Sequence, residues 1–201
     1  MRQSFSSSPF SSFRLPRFAN FCSCAVAVAD LVVPSPPPGV VAEVPGPGQE
    51  SVWDYPRPPA LRASPALVVV VLGGVEVCRT GRALQVLETS HPPSWYLPVG
   101  DWAEGALRAA AGSSFCEWKG TADYLDVVGG TLVAPAAAWT YPSPFPRFAA
   151  LVDHVAVYPG RMDRCTVDGE TVRPQEGGFY GGWITDDVVG PFKGAPGTWG
   201  W

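Results

Sequence analysis

From Leu67 to Leu72 the chain is apolar without interruption, and after Gly73-Gly74 it alternates through Val75-Glu-Val-Cys-Arg79. Two β-rich runs separated by two glycines predict a hairpin, because the favoured hairpin turns need positive φ, which glycine adopts at no steric cost. The pattern recurs as Thr121 to Val128, Gly129-Gly130 and Thr131 to Ala134, and again as Arg164 to Val167, Asp168-Gly169 and Glu170 to Arg173. Three such hairpins predict a mainly β, mostly antiparallel domain. Helix is scarce. Asp101-Trp-Ala-Glu104 reads as a capping box ahead of a short helix over 105–111 that Gly112 ends, and Pro146 reads as the first position of another through Val152. Neither is longer than about three turns, so neither can be the scaffold.

Composition sharpens that reading. With 23 Pro and 22 Gly in 201 residues, breakers are too frequent for long helices. Residues 30–65, which contain Pro34, Pro36, Pro37, Pro38 and six further prolines, read as a Pro-rich linker and arm with extended backbone. Within it Glu50 to Pro59 carries two aromatics and reads as an ordered arm against the body. Residues 66–201 are expected to form a single β domain that ends in a Gly-rich C-terminal arm pinned by Phe179, Tyr180 and Trp183.

Residues 1–29 hold seven Ser, three Arg and no acid, the composition of a transit peptide for a plastid or mitochondrion; secretion and a cytoplasmic location are the alternatives. No run of about 18 apolar residues occurs, so no membrane span is expected. Three of the 14 basic groups lie in residues 1–29, which leaves 11 against 18 acidic groups in residues 30–201. An acidic body without a Lys/Arg cluster does not suit nucleic acid, whose phosphates demand clustered cations. Cys78, Cys116 and Cys165 show no CxxC spacing, which fits a reducing compartment better than a disulfide framework.

Candidate chemistry gathers in a few stretches. Phe115-Cys116-Glu117-Trp118-Lys119-Gly120 brings a thiol, a carboxylate, an indole and an ammonium together. Read as a strand, it places Cys116 and Trp118 on one face and Glu117 and Lys119 on the other. Cys116 is a candidate nucleophile wherever a neighbouring cation favours its thiolate; the competing reading is a structural thiol. His91, in Glu88-Thr-Ser-His-Pro-Pro93, is a candidate proton carrier or a corner residue bonded to backbone. Trp139 and Tyr141 are two apart on a strand, and with Trp118, Trp95 and Tyr96 they can line an aromatic pocket for a cationic or flat ligand. Glu117 or Lys119 would then fix a polar group.

The expected function is therefore a small-molecule or modified-residue binding module. The alternatives are an enzyme using Cys116 or His91 in thiol or acid–base chemistry, and a scaffold without chemistry. Cys78, His91, Cys116, His154 and Cys165 lack paired spacing, so no metal site is expected. The Gly-rich tail lacks the Walker pattern. No particular cofactor or oligomeric state is implied.

Glu88-Thr-Ser-His-Pro-Pro93, Tyr96-Leu-Pro98, Cys116-Glu-Trp-Lys-Gly120 with Ala122 and Tyr124, Ala138-Trp-Thr-Tyr-Pro142, Val155-Ala-Val-Tyr-Pro159, and Gly178-Phe-Tyr-Gly-Gly-Trp183 with Gly190-Pro-Phe-Lys-Gly194 occur in this order. Together they resemble the domain of unknown function 427 family, from about Glu50 to Trp201. The resemblance implies a β-tent or Mss4-like fold of small twisted sheets packed at an angle. That wider group includes methionine sulfoxide reductases, zinc-binding proteins and a ligand-binding domain with a tryptophan cage. The family is sometimes labelled nucleotidyltransferase-like, and no residue here supports that label. The paired CxxC knuckles of the zinc-binding relatives are absent from the sequence.

Overall fold

The computed structural model describes residues 31–201, so the expected transit peptide over 1–29 lies outside the described residues. In chain order the strands are β1 (Glu50–Ser51), β2 (Ala60–Ser64), β3 (Val68–Leu72), β4 (Val75–Thr80) and β5 (Ala83–Leu87). Then come β6 (Ser94–Pro98), β7 (Leu107–Cys116), β8 (Gly120–Gly129), β9 (Leu132–Thr140) and β10 (His154–Val157). The last five are β11 (Arg164–Val167), β12 (Glu170–Thr171), β13 (Arg173–Pro174), β14 (Trp183–Ile184) and β15 (Val188–Val189). Helical structure among the described residues is confined to short 3-10 turns. The protein is mainly β.

Two antiparallel sheets make the body. One has seven strands in the order β2-β5-β6-β10-β9-β8-β7, and the other has four in the order β12-β11-β3-β4. Gly73 and Gly74 take φ of +61° and +73° and join β3 to β4, while Asp168-Gly169 joins β11 to β12. Both turns stand where the sequence places them. The β8–β9 turn is one residue later than expected: Gly129 pairs with Leu132, so Gly130-Thr131 forms the turn. Gly129 serves another purpose. A Cβ there would lie 2.2 Å from the Leu72 carbonyl oxygen, so two hairpin tips cross with their backbones in contact.

The main core fills the space between the sheets. Val68, Val70, Val77, Cys78, Cys165 and Val167 of the small sheet meet Trp95, Leu97, Val127, Ala137, Val155 and Val157 of the large one. Period-2 alternation then turns Tyr96, Ala122, Trp139 and Ala156 to the opposite face of the large sheet, where Val86, Tyr141, Phe148 and Leu151 join them in a second cluster. Both Trp95 and Tyr96 are buried because both faces of the sheet are covered. The same alternation lets β8 serve both layers, with Ala122 in the outer cluster and Val127, five residues on, in the core.

Three expectations are corrected. The helix over 105–111 does not form; Leu107–Cys116 is strand β7, paired antiparallel with β8 from Leu107↔Val127 to Cys116↔Gly120. Local alanine propensity loses to ladder pairing at Leu107–Ala109 and Ser113–Cys116, on either side of a bulge, and to Gly105 and Gly112, which sit at φ +74° and +97°. The second helix is a 3-10 turn, Pro146–Leu151, which buries Phe148 and Leu151 in the outer cluster. The stretch read as linker also reaches into the body: Ala60–Ser64 pairs with β5 along its whole length as the edge of the large sheet. Ahead of it, Val52, Trp53 and Tyr55 are buried with Leu87 and Val188 in a third cluster. There β1 pairs in parallel with β15, and the Trp53 indole N–H donates to the Pro191 carbonyl at 3.0 Å. The two arms are zipped together.

Candidate functional site

A cavity of about 450 Å³ opens on the outer face of the large sheet. Its floor comes from alternate residues of neighbouring strands: Val86 of β5, Ser94 and Tyr96 of β6, Tyr124 of β8 and Trp139 of β9. The turn between β7 and β8 supplies one wall. The β5–β6 loop brings Glu88 and His91, and the C-terminal arm brings Gln175, Tyr180 and Lys193.

Each candidate site residue lines this one cavity: Tyr96, Cys116, Glu117, Trp118, Lys119, Trp139, Tyr141 and His91. Their arrangement differs from the expected alternation. Residues 117–119 form a turn rather than a strand, closed by the Cys116↔Gly120 pair with Gly120 at φ +96°. The Phe145 amide donates to the Lys119 carbonyl at 3.1 Å and holds the turn against the sheet. In consequence Lys119 and Glu117 do not share a face. It is buried, 9% exposed, with Cys116 and Tyr96 beside its ammonium and the Tyr141 ring centroid 5.8 Å from Nζ. Glu117 stays exposed at the rim. Trp95, considered as a further wall, faces the main core and packs on Trp183.

The floor is rich in donors. The Trp139 indole N–H donates to the Tyr96 hydroxyl oxygen at 3.2 Å, which leaves the Tyr96 proton free to be donated onward. Burial pushes the Tyr96 and Tyr141 hydroxyls up and the Tyr158 hydroxyl up to about 12, so all three are protonated at neutral pH. Burial works against charge on Lys119, yet its pKa is raised; at neutral pH, with Tyr96 protonated, Glu88 is the nearby anion that favours the ammonium. No carboxylate lies within ion-pair distance of Lys119 among the described residues. Glu88, whose carboxyl burial holds above the usual range despite Lys119 and Arg57, is paired with Arg57 at 3.5 Å.

His91 is held differently. Gln175 Oε1 accepts from the Gly182 amide at 3.1 Å, which fixes the side-chain amide and turns Nε2 toward His91 Nδ1, also at 3.1 Å. Nδ1 therefore accepts and the ring proton sits on Nε2. Burial, then Lys193, Arg57 and Lys119, push its pKa down to about 3, so His91 is a neutral hydrogen-bonding group at physiological pH.

The C-terminal arm closes the remaining side. A Cβ on Gly181 would lie 2.1 Å from the Trp139 ring, so only glycine lets the arm press on the indole there. The Lys193 amide donates to the Ser90 carbonyl at 2.8 Å, and its Nζ donates to the Trp201 carbonyl at 2.6 Å. Sequence reasoning did not select Glu88, Tyr124, Tyr158, Gln175, Tyr180 or Lys193 as site residues. Five of them stand inside the quoted motif blocks, so that signal was present; Gln175 stands in none. Among the described residues no three His, Cys, Asp or Glu side chains are grouped to hold a metal.

Fold and cavity together define a mainly β protein with an aromatic-lined pocket over a buried lysine. The chain belongs to the family described as Domain of unknown function (DUF427), whose match covers residues 60–168, from β2 through the end of β11 and its turn. No curated protein matches it.

Proposed function

We propose that this protein is a small-molecule binding module whose ligand occupies the pocket on the outer face of the large sheet. The observation that carries the reading is the buried Lys119 ammonium, with no carboxylate within ion-pair distance among the described residues, set among Tyr96, Tyr141 and Trp139. A buried charge with no partner costs several kcal/mol, a cost that a bound ligand with a complementary group relieves. The concave, aromatic shape with a few polar groups is that of ligand sites in general. Acid–base chemistry at neutral pH finds little support, because a histidine with pKa about 3 is a weak base there.

The test uses three planar aromatic probes of matched body: naphthoate, naphthylmethanol and a naphthyl trimethylammonium salt. At least one is expected to bind, followed by tryptophan fluorescence. Trp118→Ala is expected to weaken that binding at least about tenfold, roughly 1.4 kcal/mol, with near-UV circular dichroism unchanged. Unfolding of the variant, or undiminished binding, would count against the pocket.

A further inference from the structure

Resting on that reading, we infer that the ligand is a planar aromatic anion, its acidic group against Lys119 and its ring system between the Tyr and Trp walls. Aromatic pockets commonly hold cations, because ring faces are electron-rich. Here that place is taken. Lys119 Nζ already lies 5.8 Å from the Tyr141 ring centroid, and a second cation would be repelled inside a low-dielectric cavity. The close neighbours of Lys119 answer its charge only in part: Cys116 offers a sulfur, a weak acceptor, and Tyr96 a protonated hydroxyl. Glu88, the carboxylate whose charge reaches it, stands beyond ion-pair distance and is shared with Arg57.

The other charged groups around the cavity are committed or remote from the floor. Glu88 is paired with Arg57 at 3.5 Å, Glu117 is exposed at the rim, and Lys193 donates to Trp201. The hydroxyls add a second, independent argument. The Tyr96 oxygen accepts from Trp139 and from the Tyr141 hydroxyl, and Tyr96 is protonated, so what it has left to offer a ligand at the pocket floor is its own O–H as a donor. Such a floor is complementary to the oxygens of a carboxylate or sulfonate. The rings form a contiguous aromatic surface, with Trp139 edge-on to Tyr96 at 6.2 Å and tilted on Tyr158 at 4.6 Å between centroids, against which a flat ring can pack.

The same three probes test this, now for their order. Naphthoate is expected to bind wild type at least tenfold tighter than naphthylmethanol, and the trimethylammonium salt weakest. Lys119→Met should bring naphthoate to the level of the alcohol while leaving the alcohol unchanged; Lys119→Arg should keep the order. Equal or tighter binding of the alcohol or the cation by wild type would overturn the inference alone, whether or not the Met variant folds. So would a naphthoate preference that survives in a folded Lys119→Met protein. Failure of all three probes to bind wild type would overturn the binding function and the inference together.

Discussion

Replacing Gly129 by Ala is expected to destabilise the protein by about 3 kcal/mol or more, because the added methyl group would collide with backbone of the other sheet. Gly129 is buried at the tip of the β8–β9 hairpin, and a Cβ there would meet the Leu72 carbonyl oxygen at 2.2 Å and its carbon at 2.8 Å. The obstacle is backbone on the far side as well, since a Cβ on Gly73 would lie 2.1 Å from the Gly129 oxygen. Neither hairpin can yield without breaking its own ladder. Gly74→Ala is the contrast: it meets nothing within 4 Å and carries only the strain of φ +73°, about 1 kcal/mol. Urea denaturation of both variants checks the ranking. A Gly129→Ala protein as stable as Gly74→Ala would show that the two sheets are not locked tip to tip.

Acid is expected to unfold the protein through His91. Its ordinary pKa of 6.5 falls to about 3 in the folded state, chiefly through burial. Between those values the unfolded chain binds the extra proton, so stability is full above pH 6.5 and falls as pH falls toward 3. The slope approaches about 1.4 kcal/mol per pH unit, or about 3 kcal/mol lost by pH 4. Glu88 works the other way, because its folded pKa is raised and its protonation favours the folded state. The His91→Asn variant separates the two: its amide oxygen can still accept from Gln175, and it cannot titrate. Its stability should fall less steeply with acid than that of wild type. Parallel curves would mean that His91 is not held neutral by the fold.

Much of the architecture was legible because hairpins are local. Gly73-Gly74 and Asp168-Gly169 announce their turns, and the runs beside them pair as read. The failures were of another kind. Whether the alanines after Leu107 become helix or strand depends on β8, a partner that helix propensity does not see. The Pro-rich stretch hides Ala60–Ser64, whose strand character comes from β5 rather than from its own sequence.

The site divides in the same way. Tyr96, Trp139 and Tyr141 were within reach of alternation: Trp139 and Tyr141 are two apart at the end of β9, and Tyr96 faces the same layer from β6, across β10. Lys119 was not. Alternation put it on one face with Glu117, and the turn at 117–119 separates the two, so that Glu117 is exposed while a residue type almost always solvated becomes buried. Gln175 and Lys193 reach the cavity only because the C-terminal arm returns to His91 and Ser90, contacts that span 84 and 103 residues along the chain.

The central claim is that a ligand enters between the β7–β8 turn and Trp139. The indole N–H signals in a nitrogen-labelled NMR titration with naphthoate test it most directly, because the tryptophans report from separate places. Trp118 and Trp139 line the cavity, whereas Trp95 and Trp102 belong to the main core and Trp53 to the arm cluster. Saturable shifts are expected for Trp118 and Trp139, with Trp53, Trp95 and Trp102 unmoved. Absent shifts, or shifts spread evenly over all of them, would contradict ligand entry at that place.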